Sequence, residues 1–90
     1  MYSFKYTNQF KRDFKKAIKR GFLSKDLEEV LTLLHEKGEL PKKFRPHRLK
    51  GKYQGLWECH IRPDWLLIWD QEDDIRLISL VRTGSHSDLF

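Results

Sequence analysis

The sequence predicts an α+β fold. An N-terminal strand and an antiparallel two-helix hairpin lead into three antiparallel strands, which form one sheet with both helices on one face. Three observations carry this. The first six residues alternate aromatic and polar side chains. The next thirty place apolar residues at helical spacing. The second half holds three apolar runs separated by only a few residues.

In "MYSFKY", Tyr2, Phe4 and Tyr6 alternate with Ser3 and Lys5, the two-residue period of a strand. Thr7 or Asn8 can cap the helix that follows, because a short side-chain oxygen accepts a free amide of the first turn. In "QFKRDFKKAIKRGF", Phe10, Phe14, Ala17 and Ile18 fall on one helical face. Lys11, Arg12, Lys15, Lys16, Lys19 and Arg20 take much of the rest. Gly21 suits the left-handed residue that closes a helix. Ser24 is expected to cap the second helix. There Leu27, Val30, Leu31 and Leu34 keep the i, i+3, i+4, i+7 spacing, and Asp26, Glu28 and Glu29 suit the positive end of the helix dipole. Gly38 and Pro41 end it, and the short connection between the helices implies a hairpin.

"PKKFRPHRLKGKYQG" holds two prolines and two glycines and is expected to be irregular. The runs "LWECHI", "WLLIWD" and "IRLISLV" follow, separated by "RPD" and "QEDD", which are short enough for hairpins. On the first run, Trp57, Cys59 and Ile61 alternate with Glu58 and His60. The apolar set should meet the helices, leaving Glu58 and His60 on the open face; a one-residue slip would exchange the two sets.

The 90 residues suit one domain spanning 1–90, and 39% hydrophobic with 13% aromatic residues suffice for a packed core. Eighteen Lys and Arg against thirteen Asp and Glu give a net charge of +5, which favours a polyanionic partner. A lone cysteine, Cys59, forms no internal disulfide, so nothing demands an oxidising compartment. No run approaches the roughly 18 apolar residues of a membrane span, and the N-terminus lacks a signal-peptide layout. The expectation is a cytoplasmic protein with no membrane partner.

Four histidines could carry chemistry. His35, near the end of the second helix, is expected to serve the helix dipole. His47 lies among six Lys and Arg at positions 42 to 52, a stretch without an acid. His60 shares a face with Glu58 and precedes "RPD". His86 follows Arg82 and a Thr-Gly pair. Cys59 and His60 are adjacent and alternate faces, so they do not easily share an ion. Neither C-x-x-C nor H-x-x-x-H occurs, which argues against a structural metal site. The same geometry argues against a Cys–His nucleophile pair. No Gly-rich phosphate loop is present. No cofactor is therefore expected.

What remains is metal-free acid–base chemistry in a basic setting. RNA carries its own nucleophile, the 2′-hydroxyl. Cutting it requires removal of that proton, protonation of the leaving 5′ oxygen and stabilisation of the charge on phosphorus. Histidine and carboxylate serve the first two, and the planar fork of arginine serves the third. Aromatics can stack on splayed bases. The second half of the chain offers His47, His60, His86, Glu58, Asp64, Arg82, Trp65 and Phe90. The competing reading is a non-catalytic basic module that binds RNA or an acidic protein.

Taken in order, "PHRLKGKYQGLWECHIRPDWLLIW" and "RTGSHSDLF" closely resemble the YafQ branch of the RelE/ParE toxin superfamily. The resemblance spans essentially the whole chain. It implies a RelE-like fold and a ribosome-dependent mRNA endonuclease belonging to a type II toxin–antitoxin system. Its expected partners are translated mRNA, the ribosome and a cognate acidic antitoxin. By resemblance, His47, His60, Asp64, Arg82 and His86 form the catalytic set, and Trp65 and Phe90 are the accompanying aromatics. Glu58 enters from the alternation argument alone. The expected roles are His86 as acid, Asp64 or His47 as base, and His60 with Arg82 on the phosphate. The Thr-Gly pair would turn the tail back over the sheet. Lys50 and Lys52, with the other lysines of 42 to 52 and of the first helix, would bind RNA phosphates.

Overall fold

The computed structural model describes residues 1–90. Its elements are β1 (Ser3–Tyr6), α1 (Asn8–Lys19), α2 (Ser24–Lys37), β2 (His47–Arg48), β3 (Trp57–Arg62), β4 (Trp65–Glu72), β5 (Leu77–Gly84) and a single turn, α3 (His86–Leu89). Three short 3-10 turns lie at Lys42–Phe44, Gly51–Tyr53 and Asp73–Ile75. One five-stranded sheet runs in the order β1-β5-β4-β3-β2. The pairs β2–β3, β3–β4 and β4–β5 are antiparallel, and β1 joins β5 in parallel. No helix is long and apolar enough to cross a membrane.

The helix hairpin covers one sheet face. Phe10, Ala17, Leu27, Val30 and Leu34 meet Cys59, Ile61, Trp65, Leu67, Trp69, Ile78 and Leu80 in the main core. The predicted alternation of β3 therefore holds in register. The opposite face carries a smaller cluster of Tyr53, Leu66, Ile68 and Leu89.

Local signals explain most boundaries. The Thr7 hydroxyl accepts the Phe10 amide at 3.0 Å and caps α1. Gly21 and Gly38 take φ values of +96° and +66°, a region where only glycine is free of a Cβ penalty. Other expectations need correction. Ser24 is the first residue of α2 rather than its cap; Leu23 holds the cap position with no side-chain hydrogen bond. The buried face of α1 is Phe10, Asp13 and Ala17, whereas Ile18 is 41% exposed. One residue rotates a helix by about 100°, which suffices to carry Ile18 outside the covered stripe.

The stretch 41–55 is not irregular. Pro41, Pro46, Gly51 and Gly55 punctuate it, yet two 3-10 turns and the two-residue β2 fit between them. The Thr-Gly pair is not a turn either. Thr83 and Gly84 continue β5 and pair with Leu67 and Leu66. The chain reverses one residue later, where the Ser85 hydroxyl and the Asp88 carboxylate form a reciprocal capping box on α3.

Candidate active site on the open sheet face

Strand register brings three of the sequence-selected residues, His47, Glu58 and Arg82, into one row. His47 pairs with Glu58, Glu58 with Ile68, and Ile68 with Arg82. Residues directly opposite one another point to the same face, so the row lies on the side away from the helices. Three strand spacings make it roughly 14 Å long. His60 stands in a parallel row, opposite Leu66.

His47 is held from both ends. Its Nδ1 lies 2.8 Å from the Arg45 carbonyl oxygen and its Nε2 lies 3.1 Å from Glu58 Oε1. A carbonyl only accepts, so Nδ1 carries hydrogen. Nε2 thus faces the Glu58 carboxylate at ion-pairing distance. Glu58 is buried, and its second oxygen has no hydrogen-bond partner.

His60 is arranged differently. Its Nδ1 lies 3.3 Å from the Pro63 carbonyl oxygen, which places hydrogen on Nδ1, so that in the neutral ring the lone pair is on Nε2. Because β2 is only two residues long, the sheet edge at His60 is bare. It borders a cleft of about 340 Å³ lined also by Arg45, Arg62, Asp26 and Glu29.

Arg82 donates from Nε and Nη2 to the two carboxylate oxygens of Asp13, at 2.7 and 3.1 Å. Gln9 and the Thr83 amide also bond this carboxylate, at 3.0 and 3.2 Å. Burial would push the Asp13 carboxyl up, but hydrogen bonds from Arg82, Gln9 and Thr83 bring it below the usual carboxylate range.

Residues 85–90 pack onto the same open face. Leu89 is buried against the smaller cluster, and the Tyr53 hydroxyl donates to its carbonyl at 3.2 Å. Asp64 accepts the His86 amide at 3.1 Å, tying the β3–β4 turn to the start of α3. From the C-cap of α1, Arg20 binds both Asp88 oxygens at 2.5 and 3.2 Å. The Arg20 guanidinium, with the Ser85 amide, holds the Asp88 carboxyl far below the usual range. His86 is exposed, its ring 5.1 Å from that of Phe90. Phe90, 53% exposed, meets Tyr53 edge-on at 5.5 Å. Lys50 is exposed, and Lys52 Nζ lies 5.2 Å over the Tyr53 ring at the rim of this face.

Trp65 is a correction. It is wholly buried under the helices, with its ring stacked on Phe22 at 4.8 Å. No face of it is open to a base, because β4 directs it into the main core. Trp65→Ala is expected to cost about 3–5 kcal/mol of stability, as large aromatic truncations in packed cores do. Urea unfolding measures this; a change near zero would contradict the packing role.

Two residues escaped the sequence reading. Asp13 is the only acid in α1 and lies among its apolar positions, a signal that could have been used. Tyr53, between two glycines in "GKYQG", belongs to no periodic run and carries no such signal. No three His, Cys, Asp or Glu side chains converge to hold a metal ion. Burial, and then the nearby Glu58 charge, push the Cys59 thiol far up, so it remains a protonated core group.

Residues 2–90 match the family described as bacterial toxins of type II toxin–antitoxin systems, YafQ. The mRNA interferase toxin YafQ of Escherichia coli K12 is 36% identical over 86 residues, covering 94% of this chain and 91% of that protein. The crystal structure of the E. coli DinJ–YafQ complex contains a chain that aligns with a TM-score of 0.89 at 34% identity, over 100% of this chain and 99% of that one. A metal-bound toxin from Helicobacter pylori aligns with the same TM-score of 0.89 at 37% identity, over the full length of both chains.

Proposed function

The chain belongs to the YafQ family of type II toxins and is an mRNA interferase, and on that premise we propose that it cleaves translated mRNA without a metal, on the open face of its sheet. The observation that carries this reading is the single cross-strand row of His47, Glu58 and Arg82, onto whose face residues 85–90 fold.

In the proposed step, His60 Nε2 removes the 2′-hydroxyl proton. The 2′ oxygen then attacks the adjacent phosphorus, and the bond from phosphorus to the 5′ oxygen breaks. His86 donates a proton to that departing oxygen. The products are a 2′,3′-cyclic phosphate, which water can open to a 3′-phosphate, and a 5′-hydroxyl. Arg82 and His47 meet the charge on the phosphate, with Glu58 beside the His47 ring. Asp64 anchors the start of α3 by accepting the His86 amide. The exposed ring of Phe90 stacks on a base.

The E. coli relative is found in a complex with DinJ. A cognate antitoxin is the corresponding partner of this chain, and the net charge of +5 suits an acidic one. Lys50 and Lys52 contact RNA phosphates. Replacing both with Gln is expected to flatten the salt dependence of ribosome binding, because fewer counterions are released, and to leave the fold intact. An unchanged slope in binding titrations would return them to an ordinary solvated surface.

The function is tested by cleavage of ribosome-bound against free mRNA, with a chelator added at constant ribosomal magnesium. The expected result is cleavage on ribosomes that survives chelation. Equal cleavage of free mRNA, or loss under chelation with ribosomes intact, would overturn it.

A further inference from the structure

The contact between α1 and the end of β5 has a geometry that the packing alone does not require. The pairing of β1 with β5 stops at Leu80, so the edge of β5 is bare from Val81 onward. The start of α1 takes the place of the missing strand. The Thr7 hydroxyl donates to the Val81 carbonyl at 3.0 Å, and Asp13 accepts the Thr83 amide. Between these two contacts, the register of β5 shifts beside Ile68 and Trp69. The shift turns Arg82 toward the open face, opposite Ile68, and Asp13 grips its guanidinium from α1 at the bare edge of β5.

That grip uses Nε and Nη2, one edge of the planar group. The N–H groups of the other edge remain for a second anion, with the Tyr53 hydroxyl beside the guanidinium. Asp13 is itself fixed by Gln9 and by the Thr83 backbone, and it is 8% exposed. A long, flexible side chain is thus held in one orientation before substrate arrives. A charge placed in advance need not reorganise as charge develops on phosphorus.

We propose that Asp13 is a positioning residue for mRNA cleavage: it fixes Arg82 by one edge of the guanidinium so that the other edge meets the scissile phosphate. The inference rests on Arg82 being the phosphate contact of the proposed function. The carboxylate also offsets part of the Arg82 charge, so its loss should not weaken substrate binding. What it supplies is orientation.

The experiment is single-turnover cleavage of ribosome-bound mRNA by the full chain, read as maximal rate and half-saturating concentration. Asp13→Asn is compared with the parent, with Arg82→Ala and with the double variant, and thermal unfolding checks each fold. Asp13→Asn is expected to lower the maximal rate by about 10- to 100-fold, the scale of a small misplacement of a catalytic group. Half-saturation should stay unchanged or fall. In the Arg82→Ala background the substitution should have no further effect. If Asp13→Asn does not fold, Gln9→Ala loosens the same carboxylate from outside, and a smaller loss in rate alone is expected. The proposal is overturned by a folded Asp13→Asn protein, or failing that Gln9→Ala, that cleaves at the parental rate. A loss that persists undiminished in the Arg82→Ala background, or one confined to half-saturation, overturns it equally. If instead Arg82→Ala cleaves normally, the phosphate-contact reading fails first, and that outcome differs from an Arg82→Ala defect that Asp13→Asn does not share.

Discussion

His86→Ala is expected to slow cleavage of ribosome-bound mRNA by about 10²–10⁴-fold, the usual worth of a general acid. Binding should scarcely change. The two contacts that anchor residues 85–90 nearest His86 are the bond from its own amide to Asp64 and the burial of Leu89. Neither uses the imidazole, so the tail keeps its place in the variant. Single-turnover kinetics with a separate binding titration measure both quantities. Near-parental cleavage by a folded His86→Ala protein would remove His86 from the chemistry and leave residues 85–90 as a packing segment only.

Arg82→Ala should do more, because it has two consequences. The first is loss of phosphate contact, expected to cost about 10²–10³-fold in rate on the scale of a single charge-stabilising donor, together with weaker binding. Arg82→Lys should recover little, since an ammonium cannot hold Asp13 and a phosphate through two edges. The second is that Asp13 loses its partner, and removing one side of a largely buried pair costs about 1–3 kcal/mol. The pH dependence of that cost has a definite sign. With Arg82 present, the Asp13 carboxyl is held low, so its contribution is complete at neutral pH and is lost as pH falls through the lowered value. Without Arg82, only Gln9 and Thr83 oppose burial, so the carboxyl rises relative to the parent, and protonation then relieves the buried charge at a higher pH. The stability gap between parent and Arg82→Ala should therefore be largest near pH 7 and shrink toward pH 4. Urea unfolding at the two pH values checks this; a gap that widens in acid would contradict the account.

Sequence and structure agree on most signals that lie within one element, the Ser24 cap and the place of Ile18 on α1 excepted. The alternation in "MYSFKY" and "LWECHI", the four-residue steps of Leu27, Val30, Leu31 and Leu34, the Thr7 cap and the glycine closures at Gly21 and Gly38 all act over a single turn or pleat. They determine strands, helices and faces without reference to the rest of the chain. The spaced motifs around His47, His60 and Arg82 similarly carry the family resemblance in linear order. Tertiary structure decided which distant groups meet. Arg82 finds Asp13 across 69 positions and Asp64 finds the His86 amide across 22. The parallel insertion of β1 beside β5 leaves the end of β5 uncovered for α1, and nothing local in "MYSFKY" specifies that neighbour. Trp65 shows the same division from the other side. Its aromatic character is plain in the sequence, yet whether it meets a base or the core depends on which sheet face the helices cover. Periodicity assigns residues to faces; only the packing of distant elements assigns a partner to each face, because burial and ion pairing are set by whatever the completed fold brings within a few ångströms.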